Sequence, residues 1–373
     1  MIQKITLLLF LATTFVSNAQ IPAGYYNSAT GTEFVLKTQL KKIIDNQNDG
    51  LSPEYLSIDK GYGYLYTTYQ NSDTDNYYEN NGSVLDMYSE KPGGVDAYEY
   101  THIADKDNGT GGGSEGQYYN REHTIPRSVF GGGGIMKNDA HFVIPSDKRV
   151  NSQRGNLPYG VVDVANWTST NGSKRGNNLN SGYSAGYTNT VFEPIDEFKG
   201  DIARINLYFA VRYEDQVAGW PYDMFDGTSD KVFDQTFFNI LYQWHLQDPV
   251  SQREIDRNNA IFNEQNNRNP FIDHPEYVYE IWKNTLDVNE YTADSFNIHP
   301  NPTHASTVYI NKGAIKVREL NLYSITGKLV LSKKITTNQT TITLNHLDTV
   351  ASGIYLLKIQ TDNNTIVKKL VIN

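Results

Sequence analysis

The chain has no cysteine among its 373 residues. This absence excludes disulfide scaffolds, thiolate zinc sites, iron–sulfur clusters and cysteine nucleophiles, so a catalytic metal would need oxygen or imidazole ligands. Long hydrophobic runs are also missing, because the longest one, Ile5–Val16, is shorter than the roughly 20 residues that span a bilayer. The glycine-rich stretch at 109–116 lacks the Lys-Ser/Thr pair of a phosphate-binding P-loop. We therefore expect neither a membrane span nor a P-loop.

The residues that are present are typical of a folded, tyrosine-rich protein. Hydrophobic residues make up 38% of the chain, which has 27 Tyr and 15 Phe. This aromatic content is too high for a disordered chain. The length allows about two domains of roughly 100–200 residues, each with a core of its own.

The N-terminus has the pattern of a secretory signal peptide. Lys4 precedes the apolar run, and Ser17 and Ala19 are the small residues expected at a signal-peptidase site. We expect cleavage after Ala19, so that residues 1–19 form the signal peptide. The mature protein would then be secreted or held at the cell surface.

Charge divides the rest of the chain. Residues 296–373 have nine Lys/Arg against three Asp/Glu, whereas residues 20–295 have a net charge of −17. The acidic part shows helical periodicity in four segments, at 33–45, 201–214, 234–244 and 250–263.

The basic part has short alternating runs separated by Gly, Asn and Asp, which predict a small antiparallel sandwich of about seven strands. The predicted fold is therefore α+β: a mainly helical domain at 20–287, a linker at 288–295 and a small all-β sandwich at 296–373.

Residues 118–160 hold the pattern on which the predicted function depends. Aromatic and β-branched residues predict one strand at Tyr118–Thr124, stopped by Pro126, and another at His141–Ile144, stopped by Pro145. A glycine-rich loop lies between them.

A helix is expected to follow the second strand. Ser146 is a suitable N-cap, and Gly155 follows the last turn. Asp147, Asn151 and Arg154 are spaced i, i+4 and i+7, so they share one face of this helix. The predicted order is strand, glycine loop, strand, helix.

Glu122 and His123 are adjacent, so their side chains serve one site only if the strand ends or is irregular there. The following Ile125-Pro126 favours such an irregularity. A carboxylate and an amide suit a hard cation such as magnesium, and an imidazole with a pKa of about 6.5 can take a proton from water near pH 7. This combination fits metal-assisted hydrolysis of a phosphodiester.

Three separated motifs resemble the endonuclease I family of secreted bacterial nucleases, in the ββα-metal (His-Asn) superfamily. They are NREHTIPRSVF at 120–130, DAHFVIPSDKRVNSQRGNLPYG at 139–160 and WHLQDPVSQREIDRNNAIFNEQNNRNPFIDHPEY at 244–277. The resemblance covers most of residues 25–285 and implies a ββα-metal motif within the helical domain. It implies that His123 is the general base and that Glu122 and Asn151 bind one Mg²⁺ ion, with Ca²⁺ or Mn²⁺ as alternatives.

The resemblance implies further roles. Arg154 matches a basic helix position and is expected to contact phosphate as a catalytic cation. His141 is expected either to support the site or to be a structural histidine. Asp147 is expected to contact the metal ligands rather than the metal itself. The substrate-binding residues expected from the local basic charge are Arg127, Lys137 and Arg149. The cation that stabilises the transition state stays open between Arg154, Arg127 and Lys137, in that order.

The C-terminal part resembles a different family. FNIHPNPTHASTVYI at 296–310 and GIYLLKIQTDNNTIVKKLVIN at 353–373 are similar to the type A sorting domain of the type IX secretion system. This resemblance implies that the secretion machinery is a partner. It also explains a β-sandwich that has no set of residues suited to catalysis.

We therefore predict a secreted, non-specific, monomeric endonuclease that hydrolyses DNA, with RNA as a second substrate, and leaves 5′-phosphate ends. Its net negative charge opposes nucleic-acid binding, but residues 115–160 have six Lys/Arg against four Asp/Glu. The alternative is an extracellular glycan- or protein-binding module without enzymatic activity. Its aromatic platforms would be the tyrosines at 62–66 and 77–78.

Overall fold

The computed structural model describes residues 21–285 and, in the C-terminal part, 296–304, 306–312, 315–325, 327–336, 339–361 and 365–373. The predicted signal peptide at 1–19 and the predicted linker at 288–295 lie outside the described residues. The chain divides into two compact units, one formed by residues up to 179 with 188–283, the other by 180–187 with the residues from 284 onward. The protein is 29% helical and 22% strand.

Helices form most of the first unit. Its described residues contain nine of them, α1 (Glu33–Ile44), α2 (Leu65–Ser72), α3 (Lys148–Arg154), α4 (Lys199–Arg212), α5 (Glu214–Val217), α6 (Gln235–Gln247), α7 (Gln252–Gln265), α8 (Pro270–Asp273) and α9 (Tyr277–Trp282). The four helices predicted from periodicity are confirmed as α1, α4, α6 and α7, with ends that differ by at most three residues. Every residue of α4 from Gly200 to Arg212 is buried, so this helix is central to the core.

Two sheets complete the first unit. Strands β1 (Tyr119–His123) and β2 (Val143–Asp147) form an antiparallel pair, and α3 follows β2 directly. The second sheet has the order β3-β4-β5, with strands Val162–Thr168, Lys174–Asn178 and Thr190–Glu193. The expected order of strand, loop, strand and helix in residues 118–160 is therefore present.

Two details of that prediction are wrong. The second strand begins at Val143 and continues to Asp147, with Pro145 inside it opposite Arg121. Proline is tolerated there because each strand of a two-stranded sheet has one free edge. The N-cap of α3 is Asp147 rather than Ser146, because Ser146 is still in the strand and Asp147 accepts a hydrogen bond from the Val150 amide.

The second unit is rich in strands. Its described residues contain seven, β6 (Asn297–His299), β7 (Val308–Asn311), β8 (Val317–Ser324), β9 (Leu329–Lys334), β10 (Thr341–Leu344), β11 (Gly353–Thr361) and β12 (Thr365–Ile372). They form two antiparallel sheets, β10-β7-β6 and β12-β11-β8-β9, which share one buried apolar core. Alternating apolar residues of most strands point into that core, as the sequence pattern predicted, whereas β9 only packs its partly buried Leu331 against it. Within the described residues, no helix has the length and apolar character needed to cross a membrane.

Candidate active site

The side chains of β1 alternate between two faces of the small sheet. Asn120 and Glu122 point toward α3, where Asn151 Nδ2 donates to Asn120 Oδ1 at 2.7 Å and Arg154 Nη1 lies 3.3 Å from Glu122 Oε1. The other face carries Arg121 and His123 together with Tyr119. This face is covered by the 3₁₀ turn Tyr62–Tyr64 and by α2.

His123 is the last residue of β1 and is buried. Its ring centroid lies 5.9 Å from that of Tyr62 and 6.0 Å from that of Phe130, and its Nε2 is 3.1 Å from the carbonyl oxygen of Lys137. A carbonyl can only accept, so Nε2 carries the hydrogen and Nδ1 keeps its lone pair. Burial, aided by the charges of Arg127 and Arg121, lowers the pKa of His123 to about 3. The expected value of about 6.5 is therefore too high, and the imidazole is neutral at pH 7.

Glu122 is 3% exposed, and Tyr88 donates its hydroxyl hydrogen to Oε1 at 3.1 Å. Burial raises the pKa of Glu122 to about 7, although the Arg154 charge and the Tyr88 hydrogen bond act in the opposite direction. Tyr88 and Arg154 both contact Oε1, and the backbone amide of His123 also donates to this carboxylate. A cation would bind the carboxylate alongside these contacts. Asn151 uses its Nδ2 on Asn120, which leaves its own Oδ1 as the second oxygen. A carboxylate and an amide oxygen on one side of β1 fit a hard cation such as Mg²⁺.

Arg154 is not on an exposed face of α3. It is 0% exposed, and besides Glu122 it contacts the carbonyl oxygens of His123 at 3.1 Å and of Gly155 at 3.2 Å. Its Nη2 also donates to the carbonyl of Thr124. The guanidinium therefore joins α3 to the end of β1 through Nη1 and Nη2, while its buried Nε has no hydrogen-bond partner.

The two residues expected to support the site have different surroundings. Asp147 is buried, caps α3, and accepts hydrogen bonds from the Tyr100 hydroxyl and the Gly116 amide. His141 lies against Tyr208, with ring centroids 4.7 Å apart, and its Nε2 is 2.9 Å from the carbonyl oxygen of Asn267. Asn267 belongs to the third sequence motif, so His141 links that motif to the segment before β2.

The basic residues near His123 gather around one aromatic ring. Lys137 Nζ lies 4.5 Å and Arg127 Cζ 5.6 Å from the ring centroid of Tyr62. Arg121 is closer, with its Cζ 3.5 Å from the same centroid. Arg127 and Lys137 were expected from the sequence to bind substrate, whereas Arg121 and Tyr62 were not. Strand alternation was the available signal, because it places Arg121 on the same face as His123. Arg149 is partly exposed on α3.

The tyrosines that would suit an aromatic platform have structural partners. Tyr66 is buried, and the hydroxyls of Tyr77 and Tyr78 donate to the carboxylates of Asp256 and Glu197. These contacts join the early part of the chain to the later helices. They do not support the alternative of an aromatic binding platform.

A second group of oxygens lies outside the three motifs. Asp75, Glu79 and Glu90 each bring one carboxylate oxygen within 4.8 Å of the others. Burial and the nearby charges of Asp96, Glu79 and Asp75 raise the pKa of Glu90 to about 9. A cation bound here would have to displace the proton of Glu90, as it would at Glu122, whose pKa is also raised by burial.

His123 supplies a buried neutral imidazole, and Glu122 and Asn151 supply oxygens on the other face of β1, a set of groups that fits metal-assisted hydrolysis of phosphodiesters. The chain belongs to the Endonuclease I family, whose model matches residues 32–276, and residues 297–373 match the Secretion system C-terminal sorting domain. It is therefore a metal-dependent nuclease that is secreted or held at the cell surface.

Two relatives are similar over most of their length. The extracellular ribonuclease of Bacillus amyloliquefaciens is 32% identical over 264 residues, which covers 69% of this chain and 78% of the relative. The extracellular ribonuclease of Bacillus subtilis (strain 168) is 33% identical over 272 residues, with the same coverage of both chains. One solved structure in the comparison is that of PorZ, a surface component of the type-IX secretion system of Porphyromonas gingivalis. The two chains are 17% identical in the matched region, which covers 23% of this chain and 12% of PorZ, and the TM-score is 0.19. That score is too low to support a structural comparison.

Proposed function

We propose that this nuclease hydrolyses DNA and RNA without sequence preference, using one divalent cation and His123 as the general base. The observation that carries the proposal is the hydrogen bond from His123 Nε2 to the Lys137 carbonyl. It holds the ring in the tautomer whose Nδ1 can accept a proton. The two ribonuclease relatives support RNA as a substrate, and membership of the Endonuclease I family supports an endonuclease.

In the proposed reaction, Nδ1 of His123 takes a proton from a water molecule. The water oxygen forms a bond to phosphorus while the bond from phosphorus to the 3′ oxygen breaks, and the 3′ oxygen acquires a proton from solvent. The products are a 5′-phosphate and a 3′-hydroxyl. Because burial keeps the imidazole neutral at pH 7, it does not need to lose a proton before it acts.

Glu122 and Asn151 are the residues that would hold the cation. A bound Mg²⁺ ion, or Ca²⁺ or Mn²⁺ in its place, would neutralise charge on the scissile phosphate and on the leaving 3′ oxygen. Arg154 orients Glu122 and the end of β1 through its four contacts, so we assign it a positioning role rather than contact with phosphate. This assignment removes Arg154 from the candidates for the transition-state cation.

The C-terminal unit has a separate role in this proposal. Its similarity to a secretion sorting domain supports recognition by export machinery, and its strands form a core without a group of catalytic side chains among the described residues. We propose that residues 20–287 act as the nuclease domain, that 288–295 are a linker and that 296–373 serve export.

The substrate range and the product ends can be tested together. The mature protein is incubated with plasmid DNA and, separately, with structured RNA, in the presence of Mg²⁺ or of EDTA. We expect both nucleic acids to be degraded with Mg²⁺ and neither with EDTA, and we expect DNA fragments that a ligase joins without prior phosphorylation. Degradation of RNA alone would remove DNA from the proposal. Products with 3′-phosphate ends would contradict the proposed direction of bond cleavage.

A further inference from the structure

We propose that Arg121, Lys137 and Arg127, gathered around the ring of Tyr62, form a binding site for backbone phosphates of the substrate beside His123. We call these four residues the Tyr62 cluster. Arg121 contacts phosphate directly, and Tyr62 is a positioning residue that holds the cations together. The inference rests on the proposed function, because it assumes that the substrate is a nucleic-acid strand.

Arg121 is the fixed member of the Tyr62 cluster. Its guanidinium lies between two rings, 3.5 Å from the centroid of Tyr62 and 4.5 Å from that of Tyr66. Its Nη1 donates to the carbonyl of Tyr62 at 2.9 Å, and its Nε is buried without a hydrogen-bond partner. Nη2 is therefore the nitrogen left for a ligand. A planar guanidinium held in place in this way loses little freedom when it binds an anion.

No ion pair neutralises the Tyr62 cluster among the described residues, although Arg121 acts electrostatically on Asp107, which is itself paired with Lys148 at 2.8 Å. Within the part of the chain that the structure describes, Arg121, Arg127 and Lys137 have no carboxylate oxygen within 4.0 Å. Buried cations of the same unit are paired, as in Lys37 with Glu214 at 2.8 Å and Arg257 with Asp73 at 2.8 Å.

Three positive charges that lie within 5.6 Å of one ring centroid repel each other. The negative face of the tyrosine ring attracts each cation and offsets this repulsion only in part. A phosphate would neutralise the remaining charge through charge-assisted hydrogen bonds. The Tyr62 cluster therefore provides local attraction for a polyanion on a domain whose net charge is strongly negative.

The position of the Tyr62 cluster connects it to the chemistry. Strand alternation puts Arg121 on the face of His123, while Glu122 points to the opposite face. Lys137 connects the Tyr62 cluster to His123, because its carbonyl orients the His123 ring and its ammonium group lies over Tyr62. His123 is the last residue of β1, so a nucleic-acid strand with its scissile phosphate at His123 Nδ1 would place a neighbouring phosphate at the Tyr62 cluster.

The test measures binding without turnover. The affinity of a fluorescein-labelled oligothymidylate is determined by fluorescence anisotropy in EDTA, from about 50 to about 200 mM salt, for the full mature protein and its variants. Each phosphate contact contributes about 0.7 to the slope of log K against log salt for a single strand. Arg121→Gln and Lys137→Gln should each lower the slope by about 0.7, which corresponds to about fivefold weaker binding at about 0.1 M salt. An oligouridylate should show the same losses, because the backbone phosphates are shared.

Tyr62→Leu should weaken binding several-fold, whereas Tyr62→Phe should bind like the natural protein because it keeps the ring. Tyr64→Leu is the matched control: it lies in the same 3₁₀ turn, and Lys60 lies 5.1 Å from its ring centroid, but Lys60 is paired with Glu264 at 3.7 Å. We expect Tyr64→Leu to leave the affinity unchanged.

The outcomes separate this inference from the proposed function. If the natural protein degrades nucleic acid with Mg²⁺ but Arg121→Gln and Lys137→Gln keep its affinity and salt slope, the Tyr62 cluster is not a phosphate site and the nuclease proposal stands. If the natural protein neither binds nor degrades nucleic acid, the nuclease proposal itself fails. Lys137 is partly exposed, so Lys137→Gln provides the decisive result even if substitution of Arg121 disturbs folding.

Discussion

Replacement of Arg154 by methionine should destabilise the nuclease unit without affecting its contacts with phosphate. Arg154 is 0% exposed and Glu122 is 3% exposed, so the substitution leaves a buried carboxylate without its cation. Removing one partner of a buried ion pair typically costs about 3–5 kcal/mol. For a unit of this size, each kcal/mol lowers the melting temperature by about 2–4 °C, so the expected decrease is about 12 °C.

The assay is thermal unfolding followed by circular dichroism in EDTA. Arg149→Met is the matched control, because Arg149 lies on the same helix, is partly exposed and has no ion pair among the described residues. Its effect should stay within about 0.5 kcal/mol. The free energy of unfolding of a Glu122→Gln/Arg154→Met double variant should be about 2 kcal/mol higher than that of Arg154→Met, because no unpaired buried charge remains.

Oligonucleotide affinity distinguishes a positioning role from a phosphate contact. Measured well below the melting temperature in EDTA, Arg154→Met should keep the salt slope of the natural protein. Two results would refute the reasoning. One is an unchanged melting temperature, and the other is a slope that falls by about 0.7, as expected for a lost phosphate contact.

Three further predictions concern the metal ligands, the acidic group and the C-terminal unit. Glu122→Ala and Asn151→Ala should each raise the Mg²⁺ concentration needed for half-maximal activity by roughly tenfold or more, with partial recovery of activity at high Mg²⁺. Glu90→Gln should leave that concentration unchanged. The reversed pattern would place the cation at the acidic group of Asp75, Glu79 and Glu90. Because burial raises the pKa of Glu90 to about 9, the folded protein keeps a proton that the unfolded chain loses above about pH 4.5, so stability should fall as pH rises toward 9. The melting temperature of Glu90→Gln should fall less over that range, and equal curves for both proteins would contradict this account. The chain shortened to residues 20–290 should fold and keep full nuclease activity, and an insoluble or inactive product beside an active full chain would disprove independent folding.

Local patterns were sufficient to predict much of the fold. The 3.6-residue period predicted the helices at 33–45 and 201–214: α1 buries one apolar face, whereas α4 is buried on all sides, with its polar residues paired inside the core. The alternation of apolar and polar residues, with a period of two, predicted the strands of the C-terminal unit, because one face of its sheets packs against a core. The spacing of Asn151 and Arg154 correctly placed both on one face of α3, since helix geometry fixes that relation.

Other features depend on contacts that are distant in the sequence. Spacing alone could not show that the face of α3 with Arg154 is buried against β1, so a polar face was expected where a buried ion pair lies. The Tyr62 cluster was missed because Tyr62 and Arg121, which are 59 positions apart in sequence, meet only in the folded chain. The low pKa of His123 also comes from burial, which the sequence of β1 does not reveal.

The most direct test of the account compares His123→Ala with His141→Ala and the natural protein in nucleic-acid hydrolysis across a range of Mg²⁺ concentrations. A positioned base contributes about 10²–10⁴-fold to the rate, so His123→Ala should lose at least about 10²-fold in kcat, and high Mg²⁺ should not restore it. His141→Ala should mainly lower the melting temperature, because it loses contacts with Tyr208 and Asn267, and its activity should fall less. If a well-folded His123→Ala retained the activity of the natural protein, or if His141→Ala alone abolished turnover, His123 would not be the general base.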